Sequence, residues 1–291
     1  MKRRNPRHDM AAASSVVCFA SIMFGPVNRD RRLCRGEGRI LKFQEVHRRN
    51  ADRPKDTNLK TYHIRPGYLH KEVAASAEHG LYWNRARIHA SGFHQYQVYR
   101  YAMRAIARLG ARSVLDVGCG PGTKLVMLHR VFPHVRITGV DLPEAIAYCR
   151  RTHDFGDWKV EDFDSAVSSG SGEADLVICS DVIEHLADPD ILLDYLKKRC
   201  APGGRIVLST PERDALNGPQ SMAAPNRYHL REWNRAELRS YLLAAGFAIE
   251  HHELQYPVRF WPNAIFWREV VRRALAGKPL KYNQLVELRV A

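Results

Sequence analysis

The stretch Ser113–Lys124, SVLDVGCGPGTK, constrains the fold of this chain more than any other. Ser113–Val117 is a short apolar run with one acid, Asp116, near its end. That is the pattern of a buried parallel strand covered by helices on both faces. Gly118, Gly120 and Gly122 follow as G-x-G-x-G with Pro121 in the turn, and the periodic run Leu125–Val131 predicts a helix. A strand, a glycine turn and a helix let backbone approach a ligand closely, because a Cβ at such positions would collide with it. The helix N-terminus adds free N–H groups and partial positive charge. The spacing departs from the dinucleotide fingerprint G-x-G-x-x-G, since its sixth place holds Thr123.

The form D-V-G-C-G-P-G, Asp116–Gly122, resembles motif I of class I S-adenosylmethionine-dependent methyltransferases. The resemblance implies that Asp116, Gly118, Cys119, Gly120 and Gly122 line the methionine end of that cofactor. Downstream the elements alternate. Arg136–Val140 predicts a second strand ending at Asp141, Pro143–Arg151 a helix, and Trp158–Val160 a third strand. Ser165–Gly172 reads as a loop, Leu176–Cys179 as strand four and Pro189–Cys200 as a helix. Pro202-Gly203-Gly204 predicts a sharp turn before strand five, Arg205–Ser209. Asn234 with Glu237 three residues on predicts a capped helix that Gly246 stops. Phe247–Leu254 and Leu285–Val290 read as two last strands around a helical insert, Pro262–Ala276. Five β/α units predict an α/β, Rossmann-like sheet with helices on both faces and right-handed crossovers. The resemblance adds seven strands in the order 3-2-1-4-5-7-6.

Ligands of such sheets collect beyond the carboxyl ends of the strands, where strand order reverses. Asp141 ends strand two about 20 residues past the glycines, where a carboxylate accepts hydrogen bonds from ribose hydroxyls. Leu142 is expected against the adenine face. Asp162 matches the acid that meets the adenine amino group in this family, and Phe163 adds apolar wall. Ser180, at the end of strand four, completes the expected cofactor set.

Strand four runs into CSDVIEHL, Cys179–Leu186. Its D-x-x-E-H resembles the E-x-x-E-H of metal-dependent O-methyltransferases of ubiquinone biosynthesis and small-RNA 3′-end methylation, with Asp181 for the first Glu. If the segment is helical, Asp181, Glu184 and His185 share one face. His229 opens an H-x-x-E-W run like that of the RNA enzymes. Three readings of Asp181, Glu184, His185 and His229 are open. They bind a divalent metal, Mg²⁺, Mn²⁺ or Fe²⁺, that lowers a hydroxyl's pKa. Alternatively His185 is a general base, or Glu184 caps a helix and His185 shapes the pocket floor. Thr210–Asn226 reads as a long polar loop leading to His229, with the phrase N-x-x-H-x-R-E-W of small-molecule and glycan methyltransferases. Arg213, Asn226, His229 and Arg231 are expected to hold a sugar or an anionic group.

The net charge of +14 is concentrated, with +9 in residues 1–60. That segment reads as a basic, disordered extension that leaves the methyltransferase domain at 61–291. Ala11–Phe24 has the outline of a secretory signal, but a cofactor made in the cytosol favours a cytoplasmic protein. The six cysteines form no C-x-x-C pair and read as reduced thiols. Lid helices are expected over 61–110, and an insert over 257–280 that lids the substrate, touches a membrane or packs as core. No apolar run reaches the ~20 residues of a membrane span. The acceptor expected is a small molecule or saccharide. The alternatives are RNA, for a metal-assisted 2′-O reaction, or no acceptor at all in a protein that only binds the cofactor.

Overall fold

A computed structural model describes residues 60–71, 85–161, 163, 173–259 and 264–291. Expectations placed on residues 1–59, on Asp162, on the Ser165–Gly172 loop and on residues 260–263 lie outside the described residues. Among the described residues, two helices, α1 (Arg85–Ser91) and α2 (Tyr96–Leu109), precede β1 (Ser113–Val117). The glycine turn leads into α3 (Thr123–Val131), then β2 (Arg136–Asp141), α4 (Pro143–Thr152), β3 (Asp157–Val160) and β4 (Ala174–Ser180). A 3-10 turn, Ile183–His185, is followed by α5 (Pro189–Arg199), β5 (Cys200–Pro211) and α6 (Arg213–Asn217). The chain closes with α7 (Arg235–Ala244), β6 (Phe247–Gln255), α8 (Ala264–Leu275) and β7 (Asn283–Val290).

The strands form one sheet in the order β3-β2-β1-β4-β5-β7-β6. β1 to β5 run parallel, and β7 is antiparallel to both β5 and β6. Alternate residues of each strand face opposite layers. Leu115, Val117, Val177, Ile206 and Leu208 pack with Leu192 and Leu196 of α5 and Leu238 and Leu242 of α7. Val114, Ile137, Leu176, Ile178 and Val207 pack on the other side with Val98, Tyr99, Ala102 and Ile106 of α2, Leu128 of α3 and Ile146 of α4. Each fully buried aliphatic side chain contributes about 1.5–3 kcal/mol, so both layers hold the strand ends in fixed register. The apolar face of α2 is spent on this core.

Two local expectations change. Pro202-Gly203-Gly204 is not a turn between elements. Ala174 pairs with Cys200 and Leu176 with Arg205, so these residues form a bulge inside β5, with Gly203 at φ +78°. The polar stretch after β5 carries its own short helix, α6. The capping box of α7 is present as read: Asn234 accepts from the Glu237 N–H at 2.9 Å, and Glu237 accepts from the Asn234 N–H at 3.0 Å.

Gly118 sits at φ +76°, and a Cβ built there would land on Cγ2 of Val182 in the loop after β4. The glycine is therefore required by a protein neighbour as well as by its backbone. Gly118→Ala should lower global stability by about 1–3 kcal/mol, read as a fall in Tm. Adding Val182→Ala should recover part of that loss, because the clash goes and the strained φ remains.

Candidate active site

Parallel pairing of β1 with β2 and β4 brings Asp116, Asp141 and Asp181 to one edge of the sheet. The glycine turn between β1 and α3 is pinned there from β2. Gly118 and Cys119 donate N–H bonds to the Val140 carbonyl at 2.9 and 3.1 Å. Gly120 donates to Asp141 Oδ2 at 2.7 Å, and the other Asp141 oxygen accepts from the Leu142 N–H at 2.7 Å. From the residue that ends α4, His153 donates to the Pro121 carbonyl at 2.8 Å, and from α4 the Cys149 thiol donates to that of Gly120 at 3.3 Å. Cys119 turns its side chain into the core and offers only backbone to the cleft.

Asp116 is fully buried, and both its oxygens accept from the Tyr99 hydroxyl, at 3.0 and 2.8 Å. Burial pushes its carboxyl up to about 7 against the opposing pull of Tyr99 and Lys124. Burial likewise raises Asp141, with its backbone donors working the other way. Phe163 packs edge-on against Tyr195 of α5. Ser180 is buried and shares a 2.9 Å hydrogen bond with Ser209 of β5, so its hydroxyl links two strands.

The expected quartet of metal donors separates. Asp181 lies outside the 3-10 turn, at φ +55°. Its carboxylate accepts from Ser209 at 2.7 Å, Gln95 at 2.8 Å and Asn283 at 3.3 Å, so it ties β5, β7 and the start of α2 together. No single helical face carries D-x-x-E-H, because a three-residue 3-10 turn is too short to align its ends. Glu184, His185 and His229 do converge, with one donor atom from each within 4.8 Å of the others.

Each of the three is oriented by a partner behind it. Glu184 is fully buried; its Oε2 accepts from Thr210 at 2.9 Å, while Oε1 has no hydrogen-bond partner. Burial and the Asp181 charge hold this carboxyl well above its ordinary range. His185 Nδ1 lies 2.8 Å from the Tyr228 carbonyl, which can only accept, so Nδ1 carries the proton and Nε2 is a lone pair. That Nε2 is 3.9 Å from Glu184 Oε1, on a side chain 34% exposed to the cleft. His229 Nδ1 lies 2.6 Å from Glu232 Oε1, so it too is the protonated nitrogen, and Nε2 accepts from the Asn226 amide at 2.8 Å. Burial, reinforced by His229, brings the His185 imidazole down to about 4. The His185 lone pair and a desolvated carboxylate oxygen without a partner face one another, and His229 Nε2 joins them as a third donor when the Asn226 amide turns away from it; such a set fits a divalent cation, with outer partners that fix both tautomers.

Arg213 and Arg231 are not free to hold a ligand. Arg213 is fully buried and paired with Glu237 and Asp214. Arg231 donates to the carbonyls of Leu186 and Ala187 at 2.8 and 3.0 Å, fastening the His185 loop. Tyr99, Gln95 and Thr210 escape sequence reasoning, since none lies in a motif, and the Tyr228 carbonyl escapes it because Tyr228 fills an unspecified place of N-x-x-H-x-R-E-W. Glu232 was within reach, as it follows His229 at i+3.

The family model of a methyltransferase domain matches residues 94–252. The chain belongs to this family. Its sheet order is that of the class I S-adenosylmethionine-dependent methyltransferases, and it is a methyltransferase of that class. It is 28% identical over 165 residues to "Ubiquinone biosynthesis O-methyltransferase" of Xanthomonas axonopodis pv. citri (strain 306), a match that spans 52% of this chain and 68% of the relative. It is 32% identical over 148 residues to "Probable S-adenosylmethionine-dependent methyltransferase/" of Mycolicibacterium smegmatis, spanning 50% of this chain and 56% of that protein. Among solved structures, a chain of the complex between the Haloferax volcanii Trm112 methyltransferase activator and a methyltransferase superposes with a TM-score of 0.52. It is 20% identical, covering 67% of this chain and 90% of that one. The plantazolicin methyltransferase BamL gives 0.50 at 13% identity, covering 66% and 83%. At such identities the likeness is one of fold.

Asp141→Ala removes the acceptor for two backbone N–H groups that shape the turn, as well as a carboxylate at the cleft. Calorimetry should show S-adenosylhomocysteine binding at least about 10-fold more weakly, from hydrogen bonds to a charged acceptor worth about 1.5–3 kcal/mol each. Equal affinity in the two proteins would put the nucleoside elsewhere.

Proposed function

We propose that the chain methylates a hydroxyl oxygen of a small molecule or saccharide, with a divalent cation held by Glu184, His185 and His229. The convergence of these three donors at the strand ends that carry the glycine turn supports this reading. Its likeness to proteins named O-methyltransferases, over about half the chain, supports transfer to oxygen. The sulfonium methyl of the cofactor is already activated, so the protein must position the hydroxyl in line and favour loss of its proton. When bound, a divalent cation supplies that by lowering the hydroxyl's pKa.

The magnitudes favour ligation over general-base catalysis by His185. An imidazole brought down to about 4 gives little driving force for taking a hydroxyl proton. The same neutrality keeps its Nε2 lone pair available as a ligand. A purely structural role fits less well, because a capping carboxylate would not leave Glu184 Oε1 buried without a partner. Thr210 aims Glu184, Tyr228 fixes His185 and Glu232 fixes His229, so the group that has to move for a cation to bind is the Asn226 amide on His229 Nε2.

Release of S-adenosylhomocysteine, measured over a panel of hydroxyl acceptors, tests the reading. Turnover should fall to background with a chelator and return on adding Mn²⁺, Mg²⁺ or Fe²⁺. Turnover indifferent to chelation would remove the metal from the account. Glu232→Gln should raise the half-saturating metal concentration by about 10–100-fold, because it weakens the partner that orients His229.

A further inference from the structure

Lys124 stands at the second position of α3, immediately after the glycine turn. A cation in the first turn of a helix opposes the helix dipole, and no acid in that turn offsets it. Helix stability therefore gives no reason for the lysine. Its side chain runs back into the cleft, where the ammonium lies 5.0 Å from the centroid of the Tyr99 ring. It donates one hydrogen bond, to Gln95 Oε1 at 3.2 Å. Gln95 passes the contact on, its amide donating to Asp181 Oδ2 at 2.8 Å. Among the described residues no carboxylate lies within ion-pair distance of Lys124, and an ammonium has three N–H donors. Burial lowers its proton affinity while Asp116, Asp181 and Asp141 raise it, as expected for a desolvated cation facing acids it does not touch.

Tyr99 connects this cation to an anion. Its ring lies beneath the Lys124 ammonium while its hydroxyl holds both oxygens of Asp116. The Tyr99 ring thus separates the ammonium from the buried Asp116 carboxylate on the β1 side of the glycine turn, with Asp141 on the β2 side. The cofactor is a nucleoside at one end and a zwitterionic amino acid at the other. With its ribose at Asp141, its amino-acid end reaches the Asp116–Lys124 side.

We infer that Lys124 is the counter-ion for the carboxylate of the cofactor's amino-acid end. This rests on the cleft being the cofactor site. Lys124 is thereby a cofactor-selecting residue: it distinguishes ligands that carry a carboxylate from those that carry only the sulfonium nucleoside. The spare N–H groups and the unfavourable helix position are both accounted for by an acceptor that arrives with the ligand.

S-adenosylmethionine and its decarboxylated form differ by that carboxylate alone, so a cycle of two ligands and two proteins isolates the contact. Calorimetry on the full chain should show the wild type preferring S-adenosylmethionine by on the order of 10–100-fold, the range for a charged hydrogen-bonded pair. Lys124→Met should erase most of that preference while its affinity for the decarboxylated ligand stays within about threefold, which also reports an intact fold. Equal affinities in the wild type, a preference that survives in Lys124→Met, or an equal loss for both ligands would each overturn the inference and leave the cofactor cleft standing. Binding of neither ligand to the wild type would overturn the cleft assignment itself.

Discussion

The site depends on how the strand end of β2 grips the glycine turn that leaves β1. One carbonyl, of Val140, accepts two turn N–H groups, and one carboxylate, of Asp141, accepts a third. Within this turn, three of whose residues are at positive φ, the Gly122 N–H donates to the Cys119 carbonyl at 3.2 Å, and the other holds come from outside it. Its shape is borrowed from the neighbouring strand and, through Cys149 and His153, from α4 and the residue that ends it. Because β1 and β2 are parallel and buried on both faces, their register cannot slip without turning core side chains outward. Packing of the sheet is thus transmitted directly to the geometry of the cleft.

The cleft's charges follow one pattern. Asp116 and Glu184 are buried carboxylates, each held by a hydroxyl, Tyr99 and Thr210 respectively, and among the described residues neither makes an ion pair with Lys or Arg. Hydroxyl donors orient an oxygen without neutralising it, so both groups keep capacity for a cation. A sulfonium nucleoside and a divalent ion are such cations. Asp181 plays the other part: three side-chain donors and a strained backbone hold it as a brace between β5, β7 and the approach to α2. The arginines expected at the substrate side brace the same walls, since Arg213 and Arg231 spend their donors inside the protein.

Much of this was legible in the residues. The β/α alternation, the glycine turn and the strand-ending Asp141 have local signatures, because burial on both faces and positive φ each restrict residue choice. The α7 cap was readable for the same reason, as Asn234 and Glu237 meet within one turn. The Pro202-Gly203-Gly204 bulge was misread as a turn because proline and glycine mark both, and only the partner strand distinguishes them. Whether D-x-x-E-H presents one helical face stayed open in the sequence, because nothing local distinguishes a 3-10 turn from the start of an α-helix. Tyr99, Gln95 and Thr210 carry no motif, so their roles come from tertiary neighbours far away in the chain. Lys124 was visible within the opening stretch, yet only its inward course reveals why a lysine stands there.

A crystal structure of the full chain with S-adenosylhomocysteine tests the central claim, that the strand tips of β1, β2 and β4 form one cofactor cleft, most directly. The account predicts the ribose on Asp141, the thioether over Gly118–Gly122 and the sulfur facing the side of the cleft that holds His185 and His229. A nucleoside bound away from Asp141, or with its sulfur turned from those histidines, would contradict it.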